Sequence, residues 1–312
     1  MSKEKKITVG GQAVIEGVMM RGPERVAIAV RKPDGKIMVK SRPFQSITAR
    51  LKFLAIPFLR GAVVLVETLI LGIKALTFSS DVAMEADNKE EKSRWQKLLG
   101  NIWMGVTLIV SFALGLGLFF YVPLIITGLF HLQSGILFNL VDGFFRLIIF
   151  LLYIYAITMW KEIRRVFEYH GAEHKSIYAF EDKKDLVIES AIPYSTLHPR
   201  CGTSFLLIVM LVSILVFMFL GKPETIGERL IRLAFIPLIG GISYELIKLS
   251  DKANKFRIFR IFILPGLWLQ KLTTKEPDES QLEVAIVALK SALGFDPDGG
   301  PSEIEICCEE TG

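Results

Sequence analysis

The 312-residue sequence predicts a mainly α-helical, polytopic integral membrane protein. About four transmembrane helices are expected, with interfacial helices beside them and a small β element at the N-terminus. Three observations predict this class. Mean hydropathy is +0.44. No Asp, Glu, Lys or Arg occurs from Leu98 to Val141. Apolar stretches of roughly 20 residues, the length that crosses a bilayer core, recur between groups of basic residues. The uncharged run excludes an ordinary soluble protein, and it is too long and too far along the chain for a signal peptide.

Along the chain, Val26–Arg31 and Lys36–Ser41 alternate around Pro33, Asp34 and Gly35, a hairpin signal that makes residues 1–50 an N-terminal motif and β region. Leu54–Phe78 is apolar but carries Arg60, Glu67 and Lys74 at heptad spacing. One polar stripe on an apolar helix suits a helix lying at the interface, or packed with that stripe toward a polar interior, within residues 51–80. If it crosses instead, the N-terminus moves outside. Residues 81–98 form a charged linker.

The membrane domain is expected over 99–249. Its spans are Ile102–Phe130, Ile136–Trp160, Thr203–Leu220 and Leu230–Leu249, with a turn at His131–Gly135. Asp142 and Arg146 in the second span are four apart and share a helical face. The fourth holds Arg232, Pro237, Gly240, Gly241 and Glu245, so it is expected to be kinked or re-entrant. Residues 250–312 form the C-terminal region. There, Phe256–Leu269 reads as a surface-lying helix ending near Pro265 and Gly266, and Glu279–Leu293 as an amphipathic helix.

Orientation follows from charge. The connection 161–203 holds Lys161, Arg164, Arg165, Lys175, Lys183, Lys184 and Arg200, whereas 129–135 holds no Lys or Arg. The positive-inside rule makes the long connection, and with four spans both termini, cytoplasmic in a bacterial inner membrane. The net charge of +5 is thereby assigned to membrane flanks and lipids rather than nucleic acid. Cys201, Cys307 and Cys308 are too few and too badly spaced for a disulfide framework.

Three of the four histidines fall in that connection. His170 and His174 are i and i+4, on one helical face, and His198 and Cys201 make a second pair two residues apart. Nitrogen and sulfur ligands in two close pairs suit zinc, or another divalent metal, close to the membrane. Four ligands would close a structural shell, and three plus water would make a catalytic one. The first pair also reads H-x-x-E-H, which puts Glu173 in the place of a base that activates water. A second constellation, GGQAVIEGVMMRGP over 10–23, presents Gln12, Glu16 and Arg21 from glycine-flanked backbone, as a binding loop does, with Glu16 a further acid/base or ligand candidate. A third, IGGISYE over 239–245, places Tyr244 and Glu245 near the end of the last span.

These segments, with YHGAEHKSIYAFE and HPRCGTSFL, resemble the YqhQ-like family of bacterial multi-pass membrane proteins over about Val9 to Leu293. The resemblance implies a domain of unknown function labelled a predicted metal-dependent enzyme. It points to His170, Glu173, His174, His198 and Cys201, with Gln12, Glu16, Arg21, Tyr244 and Glu245. The resulting expectation is a zinc-dependent hydrolase on a membrane-proximal substrate, such as a lipid headgroup or polypeptide. The alternatives are a scaffold with structural zinc that docks a cytosolic partner such as a translocon or ribosome, and, more weakly, a small-solute transporter built on Asp142, Arg146 and Glu245.

Overall fold

The computed structural model describes residues 8–84, 94–252, 257–295 and 303–307. Most of the charged linker, Cys308 and the side chains of Phe256, Arg257 and Arg260 lie outside the described residues. The chain forms two units: Met1–Glu85 with Ile157–Leu207 and Gly240–Gly312, and Ala86–Ala156 with Ile208–Ile239.

The first unit is built on a five-stranded sheet in the order β1 (Gly10–Val14), β2 (Gly17–Arg21), β3 (Arg25–Arg31), β4 (Ile37–Pro43) and β5 (Ile304–Ile306). The expected hairpin is β3–β4, in register from Arg25↔Pro43 to Arg31↔Ile37. The motif 10–23 forms a second hairpin, β1–β2, rather than two turns in a loop. β5 joins the edge of β4 in parallel. Helices then run from α1 (Leu59–Ala83) through α5 (Lys161–Glu181), α9 (Arg257–Thr273) and α10 (Glu279–Leu293), counting in chain order those described below.

Both faces of the sheet are covered. Val18, Met20, Ala27, Ala29, Ile37 and Val39 pack with Tyr169, Ala172 and Ile177 of α5 and with Leu282, Ile286 and Leu289 of α10. Met19, Val26, Ile28 and Val30 pack on Leu71 and Ala75 of α1. A strand buried on two faces reads as a continuous apolar run, which is why β3 is Val-Ala-Ile-Ala-Val at its centre. α10 is buried along nearly its whole length rather than amphipathic. Asp278 and Gln281 close a capping box at its start, and Gly294 ends it in a left-handed conformation.

The second unit contains α2 (Arg94–Leu116), which continues through a π-helical turn at Gly117–Tyr121 into α3 (Val122–Gly128), then α4 (Gly135–Ile157). The wide turn precedes Pro123, which has no N–H to offer the preceding turn. α6 (Gly202–Leu220) and α8 (Ile236–Lys252) belong partly to each unit, and α7 (Ile226–Ala234) to the second. The fourth expected span is broken between α7 and α8 at Phe235, two residues before Pro237. α9, by contrast, runs through Pro265 to Thr273 instead of stopping there.

Among the described residues, five helices are long and apolar enough to cross a bilayer: α1, Ile102–Gly128, α4, α6 and Ile226–Leu249. Parity limits how many of the first three do so. The sheet and α5 share a core, so they lie on one side of any membrane, and an even number of crossings must separate them. Three candidates intervene. α1 turns a buried stripe of Glu67, Leu71, Gly72, Ala75 and Ser79 toward the first unit's sheet and N-terminal segment. Glu67 accepts hydrogen bonds from Ser46 Oγ and the Ile47 N–H, both at 2.8 Å. The sheet, α5 and α10 pack in one core and so lie on one side of any membrane that the chain crosses.

Candidate metal centre

The histidine pair sits where α5 is deepest in the first unit, with residues 169–177 all buried. Gly171 allows this depth: a Cβ there would lie 2.0 Å from the carbonyl oxygen of Lys275, so α5 packs backbone to backbone against the end of α9. The Lys275 N–H donates to Phe167 O at 2.9 Å across the same seam.

That approach orients the imidazoles. His170 Nδ1 lies 2.8 Å from the backbone oxygen of Thr273, and His174 Nδ1 bonds the backbone oxygen of Thr196. A carbonyl accepts only, so each Nδ1 carries the proton and each Nε2 presents a lone pair. The two Nε2 atoms converge on Cys201 Sγ, 3.1 Å from that of His170, and one donor atom from each of the three residues lies within 4.8 Å of the others. His174 Nε2 is buried and has no hydrogen-bond partner among the described residues. Burial also pushes the His174 pKa down, which keeps the ring neutral as a ligand requires. Two nitrogens and a sulfur at this spacing fit a borderline-soft divalent ion with one coordination position to spare.

Cys201 is placed by the turn that opens α6. Its Sγ accepts from the Thr203 N–H at 3.4 Å and lies 3.1 Å from Thr203 Oγ1. The preceding loop is pinned by Gln270 of α9, a fully buried amide. Gln270 Oε1 accepts from the His198 N–H at 2.7 Å, while its Nε2 donates to His198 O at 2.8 Å and Ser204 Oγ at 3.0 Å. Sequence reasoning missed Gln270, although a lone amide in the apolar run LPGLWLQ was a signal. The two carbonyl oxygens that orient the rings carry no side-chain signature at all.

His198 stands beside the centre rather than in the convergent set. Its Nδ1 accepts from the Arg200 N–H at 3.3 Å, its Nε2 lies 3.7 Å from Glu181 Oε2, and its ring is 5.6 Å from that of His174. Glu173 flanks the pair. Its carboxyl is buried against Gly11 of β1, where a Cβ would come within 2.9 Å of it. Burial pushes the Glu173 pKa up, partly opposed by His170, His198 and the Gly11 N–H.

The other sequence candidates lie elsewhere in the first unit. Glu16, at the β1–β2 turn, accepts two hydrogen bonds from Arg165 at 2.5 Å and one from Tyr169 at 3.3 Å. This raises the Arg165 pKa, while burial and then the Glu16 charge raise that of Tyr169. Gln12 lies over Gly72 of α1. Arg21 stacks on Phe44 at 4.4 Å and is 3.7 Å from Glu67. Glu245 is paired with Arg60 of α1, and Tyr244 faces Gly61 where α1 and α8 meet. Gln12, Arg21, Tyr244 and Glu245 thus bind α1 into the unit, and Gly11 of the N-terminal motif lies against Glu173.

A family model described as "Protein of unknown function (DUF1385)" matches residues 56–295. The chain is 35% identical over 308 residues to the uncharacterized protein YqhQ of Bacillus subtilis (strain 168), covering 94% of this chain and 95% of that protein. No solved structure matches. The chain belongs to the DUF1385 family.

Proposed function

We propose that this DUF1385 protein is a zinc-dependent enzyme of hydrolase type, acting from the cytoplasmic face of a bacterial membrane on a membrane-proximal substrate. One observation carries the reading: His174 Nε2 is buried without a partner, beside His170 Nε2 and Cys201 Sγ, on a ring that a backbone carbonyl has already oriented. A Cys201–His170 dyad alone would leave that nitrogen unsatisfied, at a cost of about 1–3 kcal/mol, whereas a shared metal uses all three donors.

His170, His174 and Cys201 would hold the ion. A zinc bound by three ligands supplies Lewis acidity and a water acidified toward neutral pH. Glu173, one residue before His174, is the group to hold the proton taken from the attacking water. Its buried site favours the protonated state after transfer. Cys201 immediately precedes the apolar helix α6, which supports a centre close to the membrane border and a lipid headgroup or a membrane-proximal polypeptide as substrate. The basic residues of 161–203 support the cytoplasmic side.

A second reading has one observation in its favour. The His198 ring is 5.6 Å from that of His174, so a side-chain rotation would bring it in as a fourth ligand and make the zinc structural, as in a docking scaffold. Elemental analysis of detergent-purified wild type, His170→Ala and Cys201→Ala tests both. One zinc per chain, lost in both variants, supports the centre, and absence of stoichiometric metal from folded protein rejects it. The absorption spectrum of the cobalt-substituted protein then separates them. Sensitivity to added anions marks an open position, and its absence, with a spectrum altered by His198→Ala, marks a closed shell.

A further inference from the structure

The second unit contains a charge cluster that the metal centre does not use. On α4, Arg146 Nη2 donates to Asp142 Oδ2 at 2.8 Å. On α7, Arg232 Nη2 donates to Asn139 Oδ1 at 2.9 Å and also bonds the carbonyl oxygen of Gly221. Asn139 Nδ2 donates to the same Gly221 oxygen at 2.9 Å. Both guanidiniums lie against Phe217, whose ring centre is 5.3 Å from Arg146 Cζ and 5.0 Å from Arg232 Cζ. Arg232, Asp142 and Arg146 are 1%, 2% and 7% exposed.

Two features set this cluster apart from a closed ion-pair network. Its charges do not balance: among the described residues it holds two guanidiniums and one carboxylate, and that carboxylate pairs with Arg146. The nearby Glu228 is exposed and spends its carboxylate on the Glu224 and Thr225 N–H groups at the start of α7. Its hydrogen bonding is also incomplete, since Arg146 Nε, Arg232 Nη1 and Asp142 Oδ1 are buried with no partner among the described residues. In a membrane helix these omissions are expensive. At about 1.5 Å per residue, Asp142 lies about 10 Å and Arg146 about 16 Å from the start of α4 at Gly135. Both depths fall inside a hydrocarbon core about 30 Å thick, which offers no water to compensate.

We propose that this cluster is a binding site for an oxyanion that retains a proton, the chemistry of a phosphate or a phosphate monoester. Such a ligand answers all three omissions at once. Its oxygens accept from Arg146 Nε and Arg232 Nη1, its hydroxyl donates to Asp142 Oδ1, and its charge neutralises the surplus guanidinium. Asp142 selects against fully deprotonated anions and fixes the ligand's orientation, while Asn139 and the Gly221 carbonyl hold Arg232 in place.

The test is thermal unfolding of purified full-length protein in two arms: inorganic phosphate titrated in detergent, and nanodiscs of phosphatidylcholine with or without phosphatidic acid. Wild type is stabilised in at least one arm. Phosphate alone identifies a soluble oxyanion, and phosphatidic acid alone a lipid headgroup. Arg232→Gln weakens the response at least about tenfold, the loss of one charge-assisted pair. Asp142→Asn removes the opposing charge, keeps a hydrogen-bond acceptor and strengthens the response several-fold, whereas a purely structural ion pair gives only a less stable protein. Should Arg232→Gln fail to fold, Arg232→Lys keeps the charge without the fork and still weakens binding. No stabilisation of wild type in either arm, or an undiminished response in the folded Arg232 variant, overturns the proposal.

Discussion

His170 Nε2 and Cys201 Sγ, thirty-one residues apart in the chain, lie 3.1 Å apart because α5 and the turn that opens α6 are both fixed to α9. Thr273 of α9 orients the histidine, and Gln270, one turn earlier, pins the loop that carries the cysteine.

Gln270→Leu is therefore expected to act at a distance from the donors. It preserves volume but leaves the His198 N–H and carbonyl without their partner, and one buried unsatisfied group costs about 1–3 kcal/mol. The variant should lose roughly 2–4 kcal/mol of stability on that scale and bind zinc at least tenfold more weakly. A chelator competition run beside denaturant unfolding checks both, and zinc affinity equal to wild type would show that the loop holds Cys201 without Gln270.

Glu173 gives a pH signature. Burial raises its folded-state pKa above the ordinary 4.5, so the folded protein binds the more protons from pH 4.5 up to the raised value. Its contribution to stability is full below pH 4.5 and is lost as pH rises through the folded pKa. In metal-free protein, Glu173→Gln should raise the unfolding midpoint at pH 8 and change it little at pH 4.5. His174 runs the other way: with its pKa depressed below 6.5, it destabilises the fold as pH falls through 6.5. An equal effect of Glu173→Gln at both pH values would mean that its carboxylate is solvated.

How much of this was legible in the sequence depends on which atoms carry the information. His170, His174 and Cys201 advertise themselves by type and spacing, as do Pro237 at the break before α8 and the β3–β4 hairpin. The stance of His198 beside those three does not, because its ring accepts from one backbone N–H, that of Arg200. The glycines around Glu16 also have packing roles: Gly17 fits against Ala29 of β3, Gly11 against Glu173 of α5 and Gly22 against Ala292 of α10. β2 was illegible as a strand because a strand buried on both faces loses the alternation that marks one, and β1, half exposed and opened by two glycines, has too few side chains to alternate. α10 misled similarly: its small and apolar positions wrap all round the helix, since the sheet and α5 both press on it.

Glu16 itself should prove dispensable to the centre. Its partner Arg165 is 48% exposed, and such ion pairs contribute about 0–1 kcal/mol. Glu16 also sits at φ 49°, a left-handed conformation that favours glycine. Glu16→Ala should cost about 1 kcal/mol or slightly more, and Glu16→Gly less, with zinc content unchanged in both. A metal-free Glu16→Ala that remains folded would place this carboxylate in the metal's coordination after all.

The parity of crossings makes a prediction about α1 that hydropathy alone would reverse. By length and composition α1 crosses as readily as its neighbours, and five crossings would set the β3–β4 turn and the loop after α5 on opposite sides. The shared core of the sheet and α5 requires the same side. In a cysteine-free background, Asp34→Cys and Lys183→Cys, both exposed, should therefore respond alike to a membrane-impermeant maleimide, and His131→Cys in the opposite manner. By the positive-inside rule, the first two are labelled only after cells are opened. Opposite labelling of Asp34→Cys and Lys183→Cys would mean that α1 crosses and the sheet cannot pack on α5. Uniform protection of the first two with labelling of the third would fix four crossings, with the metal centre and the sheet on the cytoplasmic side.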